Sequence, residues 1–301
     1  GTITIDNVTA ANSDGITLLI ADATGNITVQ DDAVGQSSTF NALTLESDGS
    51  IIFDSSLITD AGALSATADF EDNNTGLITF AGGATLDSAG ALTLNARDQL
   101  LDPTGALTLN ADTGVTLSSD VDTLAGTLTI DADNNNSGVG TFTLQALDAG
   151  VQNLSVEAAD IAIDGQISNA NTLSITATNN RTIGLGAGVG GDLNLSGTEM
   201  DRIDATTLSI RVDDPGTISV GPLIAGETQT IDNLDLNAFG DSGATQITFT
   251  GGTINLNALD VDAASSSGDA VVINAAQIVS SNDAISFAVG DVEVQGANSS
   301  V

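Results

Sequence analysis

The chain has 301 residues, 40 acidic against four basic, for a formal net charge of −36. That balance excludes a basic groove for nucleic acid and attraction to an anionic membrane surface. With no cysteine, disulfides, thiol catalysis and thiolate metal sites are excluded as well. A hydrophobic share of 41% is too high for an acidic disordered tail.

The start, GTITIDNVTAANSDG, has neither an initiator Met nor the layout of a signal peptide, so a mature product or an excised piece of something longer is expected. No apolar run approaches the roughly 20 residues of a spanning helix, so no membrane insertion is expected. A single grammar then runs along the chain. LTLES begins at Leu43, LTLNA at Leu92 and again at Leu107, and LTIDA at Leu128. FTLQA begins at Phe142, LSVEA at Leu154, LSITA at Leu173 and LSIRV at Leu208. LDLNA begins at Leu234 and INLNA at Ile254. Apolar residues occupy alternate places, which is the period of a strand with one buried face. Leu92, Leu94 and Ala96 should point inward, and Thr93 and Asn95 outward.

Asn-, Asp- and Gly-rich clusters such as SDGS, EDNNTG, DNNNSGVG and GDSG separate the phrases and read as turns. The best helical candidate is Ser196 to Ala205, SGTEMDRIDA, long enough for one or two turns. The close likeness of the phrases points to a repeat architecture in which equivalent strands stack. The fold class expected is all-β: a right-handed parallel β-helix, or β-solenoid, forming a single elongated rod. Its core would be aliphatic ladders, and its corners would take Gly, Asn and Asp. One continuous domain over residues 1–301 should hold roughly 12 to 15 rungs of about 20 to 25 residues each, as a segment or subunit of a longer assembly. An array of β-sandwiches is the rival fold; sandwich strands have less reason to match one another.

The stretch Arg181 to Gly221 carries a more specific likeness. Its features are Gly184-Leu185-Gly186, Leu193 and Leu195, Glu199 and Ile203, Leu208-Ser209-Ile210, and Gly216-Thr217-Ile218-Ser219-Val220. With these residues the chain resembles filamentous-haemagglutinin-like proteins, large repetitive bacterial surface and secreted proteins. The resemblance implies a right-handed parallel β-helix, export to the extracellular space or cell surface, and a role as an adhesin shaft or surface filament. It brings no catalytic motif.

With so many acids, carboxylate pairs such as Asp31–Asp32, Asp120–Asp122 and Asp213–Asp214 arise by chance. Each could be read as the acid and base of a carbohydrate-active β-helix lyase or hydrolase. Solvated turns account for them more simply, and no catalytic residue is assigned. No enzyme activity is expected. Calcium is the cofactor the acids would suit, although none is required: Asp120, Asp122, Asp131, Asp133, Asp260 and Asp262 form Asp-x-Asp pairs beside Asn- and Gly-rich corners, and hard cations take such oxygen ligands. A calcium-dependent surface-layer module is therefore a further alternative. Thr93, Thr108, Thr129, Thr143, Ser155, Ser174 and Ser209 should face outward, where β-propensity favours them. The expected function is structural. The expected partners are the protein itself, end to end or side by side, adjoining rungs of a longer chain, or host and cell-surface glycans.

Overall fold

The computed structural model describes every residue except 7, 11–14, 22–24, 31–36, 72–75, 98–100, 146–148, 180, 214, 224–229, 240–245, 265–269, 281–284, 290 and 296–301. The chain is all-β, and its parallel sheets stack as a β-solenoid of about nine turns. It divides into two compact units, Gly1–Ser155 with Ile163–Gln166, and Val156–Ala162 with Ile167–Val301.

In the first unit, each circuit contributes short strands to two sheets. One sheet stacks Leu43–Ser47, Leu64–Ala68, Leu92–Asn95, Gly114–Leu117 and Thr141–Leu144, all parallel. Their inward residues fall directly over one another: Leu43, Leu64, Leu92, Val115 and Phe142 form one column, and Leu45, Ala66, Leu94, Leu117 and Leu144 the next. All of these are buried. The other sheet carries a column of Ile27, Ile51 and Ile78, and beside it Val29, Phe53 and Phe80. Leu57, Leu86, Leu109 and Ile130 extend it. The predicted alternation holds at the residue level. Leu92, Leu94 and Ala96 are each 0% exposed, while Thr93 and Asn95 are half-buried on the outer face. Burying each such Leu or Ile is worth about 1.5 to 3 kcal/mol. A single circuit cannot gain this alone, because its inner side chains are covered by the circuits above and below.

The second unit repeats the design with longer strands. Leu173, Leu208, Leu234 and Leu259 stack in register, as do Ile175, Ile210, Leu236 and Val261. A facing sheet stacks Ile183, Ile218, Ile247 and Val271, and beside them Leu185, Val220, Phe249 and Ile273. Phe249 meets Phe287 edge-on, with ring centroids 6.4 Å apart. The circuit between Leu173 and Leu208 is lengthened by two insertions. Leu193–Leu195 pairs in parallel with Ile183–Leu185, and a short helix, Gly197–Met200, follows. The helix lies inside the predicted stretch and makes about one turn. Ser196 caps it: its side chain accepts from the Glu199 amide while the Glu199 side chain accepts from the Ser196 amide, a reciprocal capping box. Strand resumes at Ile203.

Successive turns of the first unit set residues 21 to 28 places apart over one another, from Leu43 to Leu64, Leu92, Val115 and Phe142. The two LTLNA copies, at Leu92 and Leu107, do not stack. Leu92 of the first copy pairs with Leu64 and Val115. Leu107 of the second pairs with Ala84 and Leu128. The copies therefore lie on different sheets of the coil, and the stacking partner of the second copy is LTIDA, from Leu128. The Gly two residues before Leu128 has a steric cause. A Cβ on Gly126 would lie 2.5 Å from the Ala106 nitrogen of the turn beneath it, a separation that a side chain cannot occupy.

Several polar groups at strand ends are satisfied within their own turn or by a neighbouring one. The Ser47 hydroxyl donates to the Gly25 carbonyl at 2.8 Å. Thr59 Oγ1 donates to the Gly62 carbonyl at 2.6 Å, and the Ser88 hydroxyl lies 3.1 Å from Thr59 Oγ1. Asn26 Oδ1 accepts from the Ser50 amide, 24 residues along the chain. These bonds offset the cost of burying hydroxyls and corner carbonyls.

Candidate functional site

The acidic pairs fall at three kinds of place. Asp260 and Asp262 share the strand Leu259–Ala264, two residues apart, so both lie on its half-buried outer face. Asp260 is in register with Asp235 on one side and Ser286 on the other. Asp262 lies between Asn237 and Ala288. Adjacent strands in a ladder are about 4.8 Å apart, so Asp235 and Asp260 stack like charges, which is locally unfavourable. Part of that repulsion is offset by donors. Ser209 Oγ donates to Asp235 Oδ2 at 2.9 Å, and Asn237 Nδ2 donates to Ser209 Oγ at 3.3 Å.

Asp131 and Asp133 sit at a corner after the strand Val121–Asp131. Asp131 Oδ1 accepts from the Asp133 amide at 3.2 Å. The Asp133 side chain is buried, and donors of its own turn meet both of its oxygens. Oδ1 accepts from the Ser137 amide at 3.0 Å and from the Ser137 hydroxyl at 2.8 Å. Oδ2 accepts from the Gly138 amide at 2.8 Å. A carboxylate that accepts several hydrogen bonds closes the turn, much as a backbone carbonyl would. Asp120 precedes the strand Val121–Asp131 and is half-buried; Asp122 lies in that strand, and its side chain is outside the described residues. The structure thus brings Asp131 and Asp133 together in one turn and Asp260 and Asp262 on one face. Among the described residues, no group of three or more His, Cys, Asp or Glu is placed to hold a metal ion.

The other two carboxylate pairs, Asp213–Asp214 and Asp31–Asp32, are only partly within the described residues. Asp213 Oδ1 receives two bonds from Arg211 on its own strand, from Nε at 3.1 Å and Nη2 at 2.9 Å. This is an exposed ion pair on a strand flank. Asp214 and the pair Asp31–Asp32 lie outside the described residues. Arg97 Nη2 donates to the Phe70 carbonyl at 3.3 Å. Arg181 approaches Asp192 at 3.9 Å. Asp192 also accepts from the Thr182 amide at 3.1 Å and the Thr182 hydroxyl at 3.0 Å. Those bonds from Thr182, and then the Arg181 charge, hold its carboxyl below the usual range. Asp87, on an outer face, is shifted the opposite way, mainly by burial and secondarily by the charge of Asp112.

Sequence reasoning missed the closed turn from Asp133 to Gly138. The signal was present: an Asp four residues before a Ser in an Asn-rich corner is well placed to satisfy that corner's amides. It also missed the Gly184–Asn194 contact. These residues are in register, and a Cβ on Gly184 would lie 2.7 Å from Asn194 Oδ1. The bare backbone there admits the inserted strand.

The arrangement as a whole is a set of extended outer faces with acids, hydroxyls and amides in columns. The chain matches no protein-family model, no curated protein and no solved structure.

Proposed function

We propose that the chain serves as a structural element outside the cell, either the shaft of a secreted bacterial adhesin or the subunit of a surface filament. One observation carries this reading: like residues stack on like residues through successive turns, as in Leu173, Leu208, Leu234 and Leu259. A parallel ladder with a continuous aliphatic interior spreads strain over many backbone hydrogen bonds and suits a mechanical role. The segment Arg181 to Gly221, with its likeness to filamentous-haemagglutinin-like proteins, supports the same reading. The charge of −36 keeps such a surface well hydrated and discourages nonspecific association. The proposed partners are further copies of the chain, adjoining turns of a longer chain, or surface glycans, with calcium as a counter-ion of the acidic faces.

The test is localisation in the producing cells by immunogold electron microscopy together with fractionation. Label on the outer surface or on shed threads is expected. A protein confined to the cytosol overturns the proposal. Negative-stain images of the purified protein then separate its two forms: long threads mark a filament subunit, and isolated short particles mark an adhesin segment.

A further inference from the structure

We infer that Asn135 is an attachment site for an N-linked oligosaccharide, an inference that rests on the extracellular role proposed above. Asn135-Asn136-Ser137 has the Asn-x-Ser form that such modification requires, and all three residues are exposed. The other Asn-x-Ser/Thr sites whose asparagine side chain is described lie in strands. Asn26 is half-buried, with its amide oxygen held by the Ser50 amide of the next turn. Asn153 is half-buried within the strand Ala149–Ala158. Asn194 has its amide nitrogen committed to the Gly191 carbonyl at 2.6 Å. In a stacked ladder the chain above and below is about 4.8 Å away, which leaves little room for a sugar.

Asn135 occupies the apex of a corner instead. The turn beneath it is tightly held. The Asn134 amide donates to the Ala111 carbonyl of the preceding turn at 3.0 Å, and the Asn136 amide donates to the Asp133 carbonyl at 2.7 Å. Asn136 has φ +52°, the left-handed conformation that Asn tolerates better than most residues. Asn135 Oδ1 accepts from the Ser137 amide at 3.0 Å, which ties the side-chain amide to the turn. The Ser137 hydroxyl gives its proton to Asp133 Oδ1, so the lone pairs of its oxygen are presented as an acceptor. An exposed amide nitrogen and an exposed hydroxyl oxygen are thus displayed together on a fixed turn.

The reaction balances without an oxidant. Asn135 Nδ2 bonds to the anomeric carbon of a sugar carried on a polyprenyl phosphate. The bond from that carbon to the phosphate oxygen breaks, and its electron pair leaves with the phosphate. The amide proton passes to a base of the membrane-bound transferase.

The experiment is glycopeptide mass spectrometry on protein purified from the producing cells, after cleavage at acidic residues. The Asn135 peptide should carry a glycan mass, lost in Asn135→Gln and Ser137→Ala and retained in Ser137→Thr, with circular dichroism unchanged in Asn135→Gln. Surface-located protein whose Asn135 peptide has its unmodified mass overturns this inference and leaves the structural role standing. A glycan that persists in Asn135→Gln on the same peptide also overturns it. Cytosolic protein overturns both.

Discussion

Phe53 and Phe80 lie over one another in successive turns, with ring centroids 5.3 Å apart and ring planes within 8° of parallel. They occupy equivalent register positions in Ile51–Phe53 and Ile78–Phe80, and both are buried. The stack is a direct product of coiling, since two residues distant in sequence share one inward column. Phe80→Ala should therefore cost about 3 to 5 kcal/mol through the cavity and the lost stacking. Urea unfolding monitored by circular dichroism measures it. A loss below about 1 kcal/mol would show that the rings are not packed as described.

Gly126 tests the closeness of adjacent turns. Gly126→Ala places a methyl against the backbone of Ala106 rather than against a flexible side chain. Overpacking of this kind costs about 1 to 3 kcal/mol, so a lowered melting temperature is expected. In an open corner the same change would be neutral or stabilising.

Two carboxylates should respond to acid in opposite senses. Asp87 has a raised pKa in the folded state, through burial and the nearby Asp112 charge. Its ionised form is disfavoured by folding, so its penalty is present above the folded pKa and is relieved as pH falls toward the ordinary value of 3.8. Asp87→Asn should raise the melting temperature at pH 7 (a neutral-pH reference), with the gain gone once both states are protonated. Asp192 has a lowered pKa, from the Thr182 bonds and then the Arg181 charge. Its contribution is present above 3.8 and is lost as pH falls through the folded value. Asp192→Asn should lower the melting temperature at neutral pH and converge with the parent in strong acid. Melting curves across a pH series check both signs.

Salt should stabilise the fold. With a net charge of −36, self-repulsion opposes compaction, and shortening the Debye length from about 10 Å at 0.1 M salt to about 3 Å at 1 M weakens it. A melting temperature that rises steadily with sodium chloride is expected. A fall would mean that local ion pairs outweigh the global field, which the sparse Arg–Asp contacts do not suggest.

The candidate site was only partly legible. Asp260 and Asp262 lie on one outer face, as their spacing implies. That Asp235 stacks on Asp260, and that Ser209 supplies a proton donor, depends on which strand lies next in the coil. Asp133 looked like a cation ligand by composition. In the structure its Oδ1 accepts from Ser137 and its Oδ2 from Gly138, contacts within the turn that composition alone does not reveal.

What the sequence determined by itself was local. Alternation at Leu92, Thr93, Leu94, Asn95 and Ala96 fixed strand and facing, because side-chain direction in a strand reverses at every residue, whatever the neighbours are. The likeness of many such phrases determined that strands would stack. Only the tertiary structure decided which phrase lies over which, how many turns result, where Gly126 is forced, and that Phe53 meets Phe80. Those outcomes depend on circuit length, and circuit length is set by corners and insertions, such as the strand Leu193–Leu195 and the helix after it, whose size no periodic pattern records.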